Sequence, residues 1–142
     1  MFLAGVILKL GSYGLFLFLP KIKHNLILTF YFSLALVGII VGGLICLRQR
    51  DLKILIAYSS VVHMGVVSLG LLSQSEMGSS CALLIILSHG ICSPLLFAFS
   101  YFLYLRSHSR QIINNYVGWP LMTACFMGLV SMNMGVPPRI TV

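Results

Sequence analysis

Three ionisable side chains lie inside long apolar stretches of this sequence. Lys9 interrupts the stretch GVILKLGSYG at residues 5–14, and His63 and His89 interrupt two further apolar runs. Histidine changes charge near neutral pH, and a buried lysine can exchange its proton with a neighbouring base. A lysine and two histidines on neighbouring helices would therefore suit a proton relay. The alternative is that each is a structural polar residue bonded to a neighbouring helix, or that the Lys9 side chain extends to a polar surface.

The composition indicates that these residues belong to a membrane protein. Of the 142 residues 59% are apolar and 8% are charged, whereas about 25% of a soluble domain is charged. Runs without Asp, Glu, Lys or Arg cover residues 25–47, 54–75 and 116–138, and about 20 apolar residues cross the hydrocarbon core as a helix. A charged ammonium in the middle of such a span costs about 2.5 to 3.5 kcal/mol. Lys9 therefore needs a polar partner or a hydrated cavity.

The fold class predicted from these runs is all-α, a polytopic membrane helix bundle in one domain over residues 1–142. Backbone polar groups in lipid must be satisfied within each helix. The polar connections include the residues from Ser73 to Glu76 and the small residues that follow them. About five transmembrane helices are predicted, near residues 1–19, 26–47, 54–73, 81–105 and 117–137.

The formal charge of +7 does not indicate nucleic-acid binding, because the basic residues are scattered among short loops with no basic face. By the positive-inside rule, the loops after the second and fourth helices face the cytoplasm or its mitochondrial equivalent, the matrix. Those two loops contain Arg48, Arg50, Lys53, Arg106 and Arg110, and the opposite side contains Lys21, Lys23 and Arg139. Lys21 and Lys23, with Pro20 and His24, also close the first helix.

The cysteines do not indicate a metal site or a disulfide framework. They have neither a close pair nor histidines at ligand spacing, and they are interpreted as small packing residues. These are Cys46 in the second predicted helix, Cys81 and Cys92 in the fourth, and Cys125 in the fifth. The sequence also lacks a cysteine cluster for iron–sulfur ligation and a nucleotide-binding glycine pattern after a strand.

The helix faces that carry the two histidines also carry small polar side chains, because residues three and four apart share a face. Pro94 in addition removes the hydrogen bond that the Gly90 carbonyl would otherwise accept. The fourth helix is therefore expected to be bent and locally polar beside His89. The polar neighbours are Ser59 and Ser60 before His63, and Cys92 and Ser93 after His89.

Several motifs resemble a known family in order and spacing. They are VILKLGSYGL, ICLRQRDLKILIAYSSVVHMGVV, LSHGICSPLLF, RSHSR and GVPPRI. The chain resembles the chain 4 subunits of mitochondrial NADH-ubiquinone oxidoreductase, respiratory complex I, which belong to the antiporter-like membrane subunits. The resemblance covers essentially the whole chain and implies an internal fragment of a longer subunit. Pro137 and Pro138 match the break in that family's last matched helix.

This resemblance implies a core membrane-arm subunit that carries part of a proton channel coupled to electron transfer from NADH to ubiquinone. Lys9, His63 and His89 match the family's buried polar axis, so they are expected to form the proton relay. Asp51 and Lys53 match the family's LRQTDLK loop and are expected to form a loop ion pair or part of the proton path. Tyr58, Ser59 and Ser60 fall on a matching polar stretch that could orient water.

The resemblance also implies the cofactors, partners and location. The complex uses NADH, FMN, iron–sulfur clusters and ubiquinone, and this chain is expected to bind none of them. Its expected partners are other membrane-arm subunits and the lipid bilayer, without nucleic acid. The implied location is the mitochondrial inner membrane, with the loops at residues 48–53 and 106–115 on the matrix side.

Departures from the family pattern affect the loops more than the axis. Arg50 replaces a threonine, Leu105 replaces a glutamate, and Ala124 and Cys125 stand near an aromatic pair of the family. Two other interpretations stay open: a subunit of a cation/proton antiporter, and a purely structural membrane-arm element. An antiporter is expected to have carboxylates at its ion site, whereas the predicted spans contain no Asp or Glu.

Overall fold

Helices form almost all of the structure. The computed structural model describes residues 3–19, 26–112 and 120–133. A π-helical turn, Leu3–Ile7, continues into α1, Leu8–Phe18; the other helices are α2, Leu26–Arg48; α3, Leu52–Leu72; α4, Glu76–Ser107; and α5, Pro120–Asn133. These ranges contain no strand, so the predicted all-α class is confirmed.

Within the described residues, three helices are long and apolar enough to cross a membrane: α2 from Leu28 to Arg48, α3, and α4. At 1.5 Å per residue, the 21 residues of α3 extend for about 31 Å, close to the thickness of a hydrocarbon core. Leu3–Phe18 and Leu121–Asn133 are shorter apolar helices. The prediction of a polytopic membrane helix bundle is confirmed.

The start of α4 differs from its prediction near residue 81. The helix begins at Glu76, so the small residues after Glu76 are helical and the assignment of them to a connection was wrong. The Ser75 hydroxyl caps the helix by accepting a hydrogen bond from the Gly78 N–H at 3.0 Å. The Ser79 and Ser80 hydroxyls both donate to the Glu76 carbonyl. These local bonds, with Glu76 at the positive end of the helix dipole, make helical a segment whose composition is typical of a loop.

Some residues with predicted roles lie outside the described ranges. They include parts of the predicted first and fifth helices and of the loop at 106–115. The residues concerned are Pro20, Lys21, Lys23, His24, residues 113–119, Pro137, Pro138 and Arg139.

Helix α3 lies between α2 and α4 and packs against both. The π-helical turn packs against α4, and α1 contacts both α3 and α4. Helix α5 packs against α4. The two histidine-bearing helices, α3 and α4, are therefore adjacent, and the helix that carries Lys9 lies against both.

Glycines allow α2 and α3 to approach closely. A Cβ added at Gly65 would lie 2.6 Å from Ile39 Cγ1, and one added at Gly42 would lie 3.2 Å from Val62 Cγ2. In contrast, a Cβ added at Gly38 or Gly43 would meet no described atom within 4 Å. Gly42 therefore lies in the packed contact between α2 and α3, and the approach of the two helices at Gly65 on α3 is the closer of the two.

Two apolar clusters lie toward opposite ends of α3 and α4. The first joins residues late in α3 to residues early in α4, and the second joins the start of α3 to the later part of α4. His63 and His89 fall between the two clusters along their helices. The first cluster is Leu19, Leu28, Val67, Leu71, Ala82 and Ile86, and the second is Leu52, Ile56, Leu96, Leu103 and Phe126.

The segments before α3 and after α4 are joined by backbone hydrogen bonds. The Leu52 N–H donates to the Arg110 carbonyl at 3.2 Å, and the Ile112 N–H donates to the Arg50 carbonyl at 3.1 Å. His108 ends α4 in the left-handed region, with φ of 49°, and its N–H donates to Tyr104 O. The two segments therefore lie at the same end of the bundle.

Candidate functional site

The structure brings Lys9, His63 and His89 together although they come from α1, α3 and α4. Lys9 Nζ lies 3.1 Å from His89 Nδ1. The rings of His63 and His89 are 5.3 Å apart between centroids and tilted by 50°. His89 is 4% exposed, whereas Lys9 and His63 are partly buried. His89 therefore contacts Lys9 directly and has His63 as its other ionisable neighbour among these three residues.

The contact between Lys9 and His89 is a hydrogen bond between two nitrogens. A hydrogen bond between two nitrogens needs a proton on one of them and a lone pair on the other. When the pair carries one positive charge, either the Lys9 ammonium donates to a neutral His89, or a protonated His89 donates to a neutral Lys9 amine. The two arrangements differ by the transfer of one proton over 3.1 Å.

Lys9 has a second partner within its own helix. Its Nζ donates to the carbonyl oxygen of Ala4, which lies in the π-helical turn. The Ser12 hydroxyl donates to the Lys9 carbonyl at 2.9 Å. The lysine is thus held by one acceptor that cannot titrate, the Ala4 carbonyl, and one that can, His89.

Gly90 lies beside the lysine side chain. A Cβ added at Gly90 would be 3.5 Å from Lys9 Cε, which is an ordinary contact distance. One added at Gly5, in the π-helical turn, would be 3.6 Å from Pro94 Cγ. Small residues thus line the contact between the Lys9 helix and the part of α4 that carries His89.

The hydroxyls of the serines near His63 donate to backbone carbonyls of their own helix. The Ser59 hydroxyl donates to the Ile56 carbonyl at 2.8 Å, and the Ser60 hydroxyl donates to the Ala57 carbonyl at 2.7 Å. These residues share a helix face with His63 as expected, but their protons are engaged elsewhere. A role for them and for Tyr58 in orienting water remains a prediction.

Asp51 and Lys53 lie away from Lys9, His63 and His89. Asp51 precedes His63 by 12 residues, which is about 18 Å along a helix. Its side chain makes no capping hydrogen bond to α3. Lys53 Nζ lies over the rings of Tyr101 and Tyr104, 5.9 and 5.4 Å from their centroids. The ion pair between Asp51 and Lys53 stays a prediction, and the observed partners of Lys53 are aromatic.

Polar groups buried among the described residues are satisfied. No buried side-chain nitrogen or oxygen there lacks a hydrogen-bond partner. The same residues contain no group of three or more His, Cys, Asp or Glu side chains arranged to hold a metal ion.

Sequence reasoning missed the Ala4 carbonyl as a partner of Lys9. A backbone carbonyl has no residue-type signal, and LAGVI resembles any apolar helical segment. Sequence reasoning did find Ser93, but only as a neighbour of His89. The structure also places its hydroxyl 3.5 Å from the same Ala4 carbonyl.

These features define a class: a polytopic helical membrane protein with a lysine and two histidines in contact between its helices. A model of the family described as the transmembrane region of NADH:quinone oxidoreductase and Mrp antiporter matches residues 1–141. The chain belongs to this family.

Curated relatives agree with the family assignment. The chain is 44% identical to the NADH-ubiquinone oxidoreductase chain 4 of Mytilus edulis, over 99% of this chain and 34% of that protein. It is 42% identical to the protein of the same name from Gadus morhua, over 97% of this chain and 31% of that protein. It is 44% identical to the protein of the same name from Latimeria chalumnae, over 97% of this chain and 31% of that protein. The chain spans about a third of the length of these relatives.

Proposed function

We propose that this chain is part of the proton-translocating membrane arm of NADH:ubiquinone oxidoreductase. The observation that carries the proposal is that His89 contacts Lys9 at 3.1 Å and lies beside His63, with ring centroids 5.3 Å apart. The relatives are named as chain 4 of that enzyme. The domain over residues 1–142 is then part of a proton-translocating domain, and Lys9, His63 and His89 are its relay residues.

The elementary step is a proton transfer from Lys9 to His89. The Nζ–H bond breaks, an N–H bond forms at His89 Nδ1, and the products are a neutral amine and an imidazolium. The imidazolium can then lose the proton from its other nitrogen, Nε2, toward His63. Because the ring centroids are 5.3 Å apart, this second transfer needs ring reorientation or a bridging water. The reverse sequence returns the proton to Lys9.

Coupling to redox chemistry would be electrostatic. Moving a charge near a buried site changes the energy of a charged lysine far more than it does in bulk water, because the local dielectric constant is low. The NADH, FMN, iron–sulfur and ubiquinone chemistry belongs in this proposal to other chains of the complex. The membrane-arm subunits and lipid bilayer are the partners of this chain.

The proposed location is the mitochondrial inner membrane, with the loops at residues 48–53 and 106–115 facing the matrix. The hydrogen bonds between Leu52 and Arg110 and between Arg50 and Ile112 support a common side for these loops. Both segments are rich in arginine and lysine, which favours the matrix side. Residues 113–115 lie outside the described ranges.

Replacement of Lys9 in the full-length subunit of the assembled complex tests this function. Lys9→Met removes the titratable group, and Lys9→Arg keeps a cation that does not release its proton in proteins. Both variants are expected to lower the number of protons pumped per NADH oxidised. Leu10→Met, at an exposed neighbour, is the matched control and is expected to pump normally.

The arginine variant separates a relay from a structural cation. If Lys9 only supplies charge for packing, Lys9→Arg should pump normally. If Lys9 is only a packing residue, Lys9→Met should pump normally. Normal pumping in either variant, in complex assembled to wild-type levels, would contradict the proposed relay.

A further inference from the structure

The end of the bundle that carries residues 48–53 and 106–110 has an excess of positive charge. These two segments, called the basic end below, contain five arginine and lysine side chains and one carboxylate, that of Asp51. The other acidic residue of the chain, Glu76, begins α4 and so lies at the opposite end of that helix. Asp51 can balance only one of the five cations, so the basic end attracts anions. The five are Arg48, Arg50, Lys53, Arg106 and Arg110.

Two of these cations lie against one aromatic ring. Lys53 Nζ is 5.4 Å and Arg110 Cζ is 5.5 Å from the centroid of the Tyr104 ring. The backbone brings them together, because the Leu52 N–H donates to the Arg110 carbonyl at 3.2 Å and so places Arg110 beside the residue that precedes Lys53. An aromatic ring offsets only part of a cation's charge. The ammonium and the guanidinium also carry several N–H donors each, more than the ring contact engages.

The position of this pair along the helices corresponds to the membrane surface. Lys53 is the second residue of α3, whose 21 residues match the thickness of a hydrocarbon core. Tyrosine is enriched at the level of the lipid headgroups, and Tyr101 and Tyr104 both lie under the Lys53 ammonium. On the same helix, Phe102 and Leu95 share a face and are 53% and 47% exposed. A ligand at this place therefore meets cations at one end and an apolar surface at the other.

We propose that Lys53 and Arg110 bind the phosphodiester headgroup of an anionic membrane phospholipid whose acyl chains lie along the exposed apolar surface of α4. The guanidinium can bind phosphate oxygens in a bidentate manner, and the ammonium supplies a point charge. Basic pockets between transmembrane helices bind such headgroups in other membrane proteins. A soluble phosphate would use the cations but not the apolar surface, which favours a lipid. This inference rests on the membrane-spanning fold and not on the proposed relay.

The test uses the full-length subunit in the assembled complex, in nanodiscs of phosphatidylcholine with increasing mole fractions of photoreactive phosphatidylglycerol. Mass spectrometry quantifies crosslinks to the peptides that contain Tyr101 and Tyr104. We expect Lys53→Gln and Arg110→Gln each to raise the half-saturating mole fraction about fivefold, which is the contribution of one basic residue at a membrane surface. Lys53→Arg keeps the charge and should crosslink like the wild type. Arg48→Gln removes one charge at the last residue of α2 and, as the matched control, should also crosslink like the wild type.

Four results would overturn the lipid site. Crosslinking of Lys53→Gln and Arg110→Gln that matches that of Arg48→Gln would show that no more than the general surface charge acts. An absence of crosslinks in the wild-type complex would show that another protein segment covers the two cations. Competition by excess inorganic phosphate would assign the site to a soluble anion, and equal crosslinking by photoreactive phosphatidylcholine would remove the requirement for an anionic lipid. Lys9→Met should crosslink like the wild type, so a failure of the relay leaves this site intact.

Discussion

The order Lys9, His89, His63 predicts that the two histidines act in series. His89→Gln supplies an amide oxygen that can accept a hydrogen bond from Lys9 but cannot take its proton at neutral pH. A proton can then no longer pass from Lys9 to residue 89 across the 3.1 Å contact. The next titratable ring is His63, whose centroid lies 5.3 Å beyond that of His89.

The expected loss is large because a positioned acid or base contributes about 10²- to 10⁴-fold to a proton transfer. His89→Gln should therefore slow proton transfer through this subunit at least about 100-fold. His63→Gln should block the same path one step later. The double variant should pump no worse than His89→Gln alone, because a series path is already interrupted at its first histidine.

The measurement is the rate of proton pumping by the assembled complex in sealed vesicles, compared with the rate of NADH oxidation in the same sample. Ser88→Ala provides a control on α4, since the Ser88 hydroxyl donates to the Ile85 carbonyl of its own helix. Partial losses in the two single variants that add in the double variant would show two parallel acceptors for Lys9. Unchanged pumping in His89→Gln would refute the relay order altogether.

Two further predictions concern the scaffold around the relay. Gly65→Ala should destabilise the packing of α2 on α3 by about 1 to 3 kcal/mol, because the added methyl would lie 2.6 Å from Ile39 Cγ1. Thermal unfolding in detergent measures this loss of stability, and an unchanged midpoint temperature would contradict the prediction. Gly43→Ala, which meets open space, is the control. Ser75→Ala should cost about 1 kcal/mol by removing the cap on the Gly78 N–H, and Ser75→Asn should restore most of it in the same assay.

The helices could be predicted because the bilayer imposes a strong constraint on sequence. Apolar runs long enough to cross it identify α2 and α3 within a few residues at each end. The start of α4 was missed because Gly78, Ser79 and Ser80 are typical of loops. The hydrogen bonds at Ser75 and Glu76 help to make that segment helical, and they depend on geometry that composition does not reveal.

The residues of the candidate site could be identified, but their connections could not. A lysine or histidine inside an apolar run stands out by type, whereas the rotation of each helix about its axis decides which of them touch. That rotation depends on packing such as the close approach of Gly65 to Ile39. The Ala4 carbonyl had no signal at all, because every residue has a carbonyl and a π-helical turn has no distinctive composition.

The apolar clusters on either side of the histidines fit the proposed relay. Along α3, Ile56 precedes His63 and Val67 follows it, and both are 2% exposed. Along α4, Ile86 and Leu96 flank His89 in the same way. A proton path in a membrane must keep water from connecting its two sides freely, and in the proposed relay these buried aliphatic side chains would serve that purpose. The proposed transfer runs across the helices, between the two clusters, so a route from the histidines along α3 or α4 toward either end of the bundle would pass one of them.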